Sequence, residues 1–271
     1  MADDSIPLSK KIWGKGNPHK LALEAQIVSE RLVAEVGVRA GQKVLDLACG
    51  SGNTAIAAAR RRARVTATDI VPELIEVARA RAEAEQLEDI EFRVENSSPV
   101  IPLPDAAFDV SLSTFGLNFF PHLQSAIDEV LRVTRPGGMI GITLWADASL
   151  PSDFFRATQR IRNHNAAEGD NDEHGNNLGN GEYLRKALRG RASSVRILPG
   201  SYECCYTSWD DYLDRNLKYH PPIVALWASA TPEQRDQYRN ALQRLAMNYN
   251  RAVDGTLAVC LDYLSVIIVK A

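Results

Sequence analysis

Scarcity says a good deal about this chain. Four cysteines occur in 271 residues, and Cys49, Cys204, Cys205 and Cys260 show no metal-ligand spacing. Neighbouring residues of a strand face opposite ways, so Cys204 and Cys205 do not form a ligand pair. Reduced thiols, a cytoplasmic setting and no bound metal are the expectation. An excess of one charge sign is also missing. The 31 Lys and Arg against 34 Asp and Glu leave a net charge of -3, and no basic stripe of the kind nucleic-acid binders use is present. The one basic run, Arg60-Arg61-Arg62-Ala63-Arg64, falls where a helix ends before a strand, a place that suits cations. No apolar run approaches membrane-spanning length, and the start MADDSIPLSKK lacks the apolar stretch of a signal peptide. The expected partner is a small molecule, with neither nucleic acid nor membrane, and self-association into a homo-oligomer is allowed.

What the chain does have is alternation. Strand-like runs at residues 44–47, 65–70, 90–95, 108–115 and 139–145 are separated by helical patterns at 72–85 and 123–133. Pro72 opens one helix, and Arg135-Pro136-Gly137-Gly138 stops another. A further helix is expected over 21–36, burying Leu21, Leu23, Ile27, Leu32 and Val36. Such alternation implies parallel βαβ units in a doubly wound sheet. After residue 150 the texture changes. Residues 163–181 are polar and read as a mobile loop. Two strand-like stretches, 195–206 and 263–270, flank helical patterns at 209–217 and 232–248. All seven Phe lie between Phe92 and Phe155, whereas all eight Tyr lie at or beyond Tyr183. Phe suits a dry core and Tyr keeps a polar handle, so the last third reads as a partly wet cap. The expectation is one α/β architecture: a doubly wound, mostly parallel seven-stranded Rossmann-like sheet with a helical C-terminal cap. Residues 1–150 form the core with an N-terminal lid helix, and 151–271 supply cap helices and the final strands.

The stretch VLDLACGSGN (residues 44–53) carries the chemistry. A buried strand ends in Asp46, a small-residue loop follows, and a helix starts at Asn53. Gly50 and Gly52 let backbone approach a ligand, and the helix start offers amide N–H groups. Asp46 would repel a pyrophosphate, and Ala48 and Ala55 stand where a dinucleotide fingerprint has glycine. A ligand with an ammonium beside a carboxylate fits better, as at the amino-acid end of S-adenosylmethionine. Asp69, 23 residues on, ends the second strand where a carboxylate can accept from both hydroxyls of a ribose. Ile70 is placed to pack on a base, and Glu95, Asn96 and Ser97 end the third strand.

With VLDLACGSGN, ATDIVPELIEVARARA, LPDAAFDVSLSTFGLNFFPH and EVLRVTRPGGMIGITLW together, the chain resembles the class I S-adenosylmethionine-dependent methyltransferases. It is most similar to the small-molecule group of ubiquinone-type and natural-product enzymes. GEYLRKALRG, NRAVDGTL and DYLSVIIVKA extend the likeness into the tail. The resemblance implies that Asp46, Gly50 and Gly52 hold the methionine end and Asp69 the ribose, with Ala48, Asn53 and Ile70 also at the cofactor. It implies that Asn96 or Ser97 faces the adenine and that Thr114 or Phe115 offers a carbonyl near the sulfonium. Many relatives carry a His pair after the fourth strand. Here Asn118-Phe119 stands in its place.

Methyl transfer mainly requires alignment of donor and acceptor, with a base where a hydroxyl proton must leave. The candidate bases are His122 and His220; His19, His164 and His174 read as surface residues. Trp13, Asn118, Trp209, Tyr212 and Tyr219 are candidates for an acceptor pocket, together with Tyr202, Tyr206 and Trp227. The expected function is methyl transfer to O, N or C of an apolar small molecule. A cyclase-like enzyme that keeps S-adenosylmethionine without methylating, or a non-catalytic ligand-binding module, are the alternatives.

Overall fold

The computed structural model describes residues 8–95, 100–120, 122–163 and 179–271. Most of the polar stretch 163–181, with His164 and His174, lies outside the described residues, as do Asn96 and Ser97. Strands β1 (Lys43–Leu47), β2 (Arg64–Asp69), β3 (Ile90–Val94), β4 (Phe108–Thr114), β5 (Thr134–Trp145), β6 (Ala192–Tyr206) and β7 (Leu257–Lys270) form one sheet of order 3-2-1-4-5-7-6. Six strands share one direction, and β7 alone runs antiparallel, between β5 and β6. Strand order reverses between β1 and β4, which places the ligand crevice at their carboxyl ends.

Before and between the strands lie α1 (Leu8–Trp13), α2 (Pro18–Ala22), a 3-10 turn (Leu23–Ala25), α3 (Gln26–Val36), α4 (Asn53–Arg60), α5 (Pro72–Ala84) and α6 (Leu123–Val133). The second half adds α7 (Leu150–Asn163), α8 (Gly181–Ala187), α9 (Trp209–Tyr219), α10 (Pro221–Ser229) and α11 (Pro232–Tyr249). One sheet face buries Val44, Val65, Val110 and Leu112 against Leu32, Val33, Ile56 and Ile75 of α3, α4 and α5. The other buries Leu45, Leu47, Ile140 and Ile142 against Ile127 and Val130 of α6, Leu184 of α8 and its C-cap Leu188. Burial of successive residues on opposite faces is what parallel strands covered by helices require.

The expected helix over 21–36 is broken by the 3-10 turn; Leu32 and Val36 are buried as expected, but its N-terminal part is not. Leu23 and Ile27 are 42% and 46% exposed, while Val28, Leu32, Val33 and Val36 are buried. Leu32 and Val36 sit over Gly141. A Cβ there would lie 2.4 Å from Val36 Cγ2 and 3.1 Å from Leu32 Cδ1, so its absence seats α3 on β5. Strand β5 starts at Thr134 rather than 139. Register jumps from Phe108–Thr134 to Val110–Met139, and the Pro-Gly-Gly run is absorbed as a bulge. The basic run is structural. Arg60 pairs with Glu30 and Glu85, Arg61 reaches the Val38 carbonyl and Arg64 that of Gly41.

Candidate active site

The loop after β1 takes the tight path its small residues allow. Gly50 and Gly52 have φ of +54° and +85°, and Ala48 has +54°. A Cβ on Gly52 would sit 2.9 Å from Ala78 Cβ on α5, so glycine there is both a left-handed cap for α4 and a packing necessity. Ala48 carries a conformation that glycine takes without cost. Room for its methyl comes from Gly116, where a Cβ would lie 2.6 Å from Ala48 Cβ.

Asp46 and Asp69 hold this loop from two sides. Asp69 Oδ2 accepts from the Gly50 amide at 2.8 Å and Oδ1 from the Val71 amide at 2.9 Å. Burial pushes its carboxyl up, and the amides of Val71, Gly50 and Ile70 oppose the shift. Asp46 is buried at 1% exposure, and neither oxygen has a hydrogen-bond partner. Burial pushes its carboxyl well above the ordinary range. The Ala55 amide opposes this without completing a bond, and the Asp69 charge adds to it. An unpartnered buried carboxylate is costly and suits a cationic ligand group.

Asn53 adds an unexpected brace. Its Nδ2 donates to the Ala22 carbonyl at 2.7 Å, and its Oδ1 accepts from Arg81 Nη1 at 2.8 Å. Arg81 also donates to the Ser51 carbonyl at 2.5 Å. The loop is thereby tied to α5 and to the N-terminal segment at once.

A cavity of about 660 Å³ opens over the loop, within the range typical of ligand pockets. Its donor end is lined by Ala48, Gly50, Asn53, Asp69, Ile70, Thr114 and Phe115, with Glu95 beside them. Glu95 Oε2 is enclosed and unpartnered, a feature that a strand-end acid signals from sequence. Asp46 and Gly52 are not on the wall. The sequence expectation for both was direct contact with the methionine end; the structure buries Asp46 beside the loop. Phe115 sits at φ +60° with its ring stacked on Trp145 at 3.7 Å. Its carbonyl accepts from Asn118 N at 3.3 Å and Nδ2 at 2.9 Å, and both Thr114 and Phe115 line the cavity. Asn118 Oδ1 accepts from the Trp145 amide at 3.2 Å, which makes this wall residue a clamp between β4 and β5.

The other end is built by the N-terminal segment and the cap. Trp13 meets Phe119 edge to face at 4.4 Å and lines the cavity with Leu21 and Ala25. Tyr212, Asn216 and His220 recur every four residues along α9 and its C-terminal cap, and all reach the wall, as do Tyr202 and Tyr206 of β6. Three expected aromatics do not. Trp209 packs on Tyr212 at 5.6 Å, Tyr219 lies under Arg215 at 5.9 Å, and Trp227 lies under Arg235 at 5.9 Å. His122 is exposed at the start of α6 and is not among the described wall residues of the cavity. Phe154, Phe155, Pro221, Pro222 and Ile223 complete the wall. They come from α7 and α10, helices that the sequence reading did not separate. Glu24 joins segment to cap: Tyr206 Oη donates to Oε2 at 3.1 Å and Arg215 Nη2 to Oε1 at 2.5 Å.

Residues 45–142 match the family described as Methyltransferase domain. An uncharacterized protein of Mycobacterium tuberculosis is 35% identical over 194 residues, which are 71% of this chain and 69% of that protein. Malonyl-[acyl-carrier protein] O-methyltransferase of Serratia marcescens is 38% identical over 125 residues, 45% of this chain and 46% of that protein. The chain spans about half the length of several relatives it matches, 49% for three of them. Among solved structures, phosphoethanolamine N-methyltransferase 2 of Haemonchus contortus, in complex with phosphomonomethylethanolamine and S-adenosylhomocysteine, shares the fold. Its TM-score is 0.56 at 15% identity, covering 90% of this chain and 52% of that one. Fold, strand-end loop and sequence likeness agree: this chain belongs to the class I S-adenosylmethionine-dependent methyltransferases.

Proposed function

We propose that this protein transfers a methyl group from S-adenosylmethionine to an apolar small molecule. The observation that carries the reading is a single cavity with two unlike ends. One end has the open Gly50 loop, the Asp69 carboxylate and the unpartnered Glu95 oxygen above a buried Asp46. The other has aromatic rings and prolines. Among the described wall residues the only charged side chains are Glu24, Asp69 and Glu95, which suits a cationic donor. When bound, S-adenosylmethionine supplies a methyl carbon activated by positive sulfur. The protein's part is to hold acceptor and donor in line and to keep water out. Gly50 and Asn53 cradle the amino-acid end, and Asp69 accepts from the ribose on lone pairs not used by Gly50 and Val71. Trp13 and Phe119 close the cavity from the lid side.

Isothermal calorimetry with S-adenosylhomocysteine tests the donor half. Asp69→Ala removes two charge-assisted bonds that shape the loop, each typically worth about 1.5–3 kcal/mol, and the dissociation constant should rise at least about tenfold. Unchanged affinity would overturn the site. Radiolabelled methyl transfer to a panel of apolar acceptors tests the reaction. Tight binding with no transfer to any acceptor would instead favour a cyclase-like or purely ligand-binding protein.

A further inference from the structure

One edge of the sheet is built to pair. Strand β3 lies at that edge and reads IEFRV, Ile90–Val94. The far edge, β6, carries Pro199 and Gly200 in mid-strand, which discourage a further strand. Strand β3 has neither. The Asp89 carbonyl accepts from the Val65 amide, and the Glu95 amide donates to the Asp69 carbonyl, so the odd-numbered residues bond to β2. By alternation, the amides and carbonyls of Ile90, Phe92 and Val94 face the open side. Arg79 Nη2 donates to the Phe92 carbonyl at 2.5 Å. That oxygen keeps a second lone pair, and Arg79 itself is half-exposed.

The side chains of β3 are complementary to their own reversal. Phe92 is central, Glu91 and Arg93 flank it with opposite charges, and Ile90 and Val94 are apolar ends. Phe92 is buried in the core with Ala78 and Ala82 of α5. Glu91 and Arg93 lie on the other face, partly exposed and joined by two bonds of 2.9 Å. They border an open groove of about 1020 Å³ with Arg64 and Thr66. Val94 is 46% exposed.

We propose that β3 pairs antiparallel with β3 of a second copy of this chain, about a twofold axis at Phe92, joining two seven-stranded sheets into one. In that register Phe92 faces its own copy, Ile90 faces Val94, and each Glu91 stands opposite Arg93 of the second copy. The Glu–Arg positions are the non-hydrogen-bonded ones, where side chains across the ladder come closest. Each charge then has one opposite charge beside it in its own strand and another across the axis. A slip of two residues either way sets Arg93 or Glu91 against its own copy, so charge selects the register. Beyond the strand Glu95 would meet Asp89, acid against acid, and the ladder ends there. So short a ladder buries less than about 1,200 Å², the size of transient contacts. The dimer is therefore expected at about 100 μM and should largely dissociate at about 1 μM.

The test is sedimentation velocity over that range with wild type, Glu91→Arg, Arg93→Glu and the double variant carrying both changes. Wild type should dimerise. Each single reversal sets like charges face to face twice and should weaken the dimer at least about tenfold. The double variant restores opposite charges and should return to within about threefold of wild type. An equimolar mixture of the two single variants should also associate, because each then offers the charge that the other lacks; chains damaged in folding could not rescue one another in this way. A wild type that stays monomeric, a dimer indifferent to both reversals, a double variant no better than the singles, or a mixture that fails to associate overturns the proposal.

Discussion

The two ends of the cavity are made in opposite ways. The donor end comes from consecutive short segments, β1 to α4 and β2 to α5, and is held by hydrogen bonds from Asp69, Asn53 and Arg81. The acceptor end gathers the N-terminal segment, α7, β6, α9 and α10, and is held by ring packing and by polar links such as Glu24 to Arg215 and Tyr206. Yet each half encloses a titratable group without a partner, Asp46 in one and His220 in the other. Geometry fixed by local backbone supports one shared ligand, while a wall of distant side chains can be rebuilt for a different acceptor without touching the sheet.

The strongest way to break the contrast is to fill the donor loop. Gly52→Val combines a φ of +85° with a clash against Ala78. It should cost about 3 kcal/mol in urea unfolding and abolish S-adenosylhomocysteine binding, whereas a cap variant such as Tyr212→Phe should leave that binding intact. Asp46→Asn sharpens it next. The folded carboxyl is raised, so the native state binds more protons than the unfolded chain, and stability falls as pH rises above the ordinary carboxylate range. Removing the charge should raise the apo melting temperature at pH 7–8 while weakening donor affinity at least about tenfold, a trade of function for stability.

His220 predicts the opposite slope. Its folded value of about 4 lies below the ordinary 6.5, so the unfolded chain binds more protons between them and stability is lost as pH falls through that window. Thermal melts of His220→Phe should be flatter than wild type from pH 6.5 to 4. The smallest effect is expected from Glu24→Gln. This half-exposed pair is worth at most about 1 kcal/mol, so acceptor KM should rise severalfold with donor affinity unchanged.

How much could be read beforehand divides along the same line. The β1 loop was legible because strand, turn and helix start are contiguous, and each glycine answers a local demand. The cap was read by residue type rather than by helical phase. Trp209 and Tyr219 are aromatic but off the wall, while the four-residue spacing of Tyr212, Asn216 and His220 marks the face that is on it. The α10 sequence PPIVALWAS is apolar all round and carries no period to detect. Ile27 and Val28 are interchangeable by hydrophobicity, and the residues that bury Val28, Phe115 and Tyr263, come from distant parts of the chain.

The sheet order also sets a schedule for synthesis. Strand β6 lies at the sheet edge with β7 as its neighbour, yet β7 is made 51 residues after β6 ends. Its 15 residues, and the tyrosines they bring to the cavity, therefore emerge from the ribosome with no ladder to join. The donor end can assemble while the chain is still growing, but the acceptor end waits for β7. During that wait β6 is an unpaired edge, the stretch of the nascent protein most in need of protection from its neighbours.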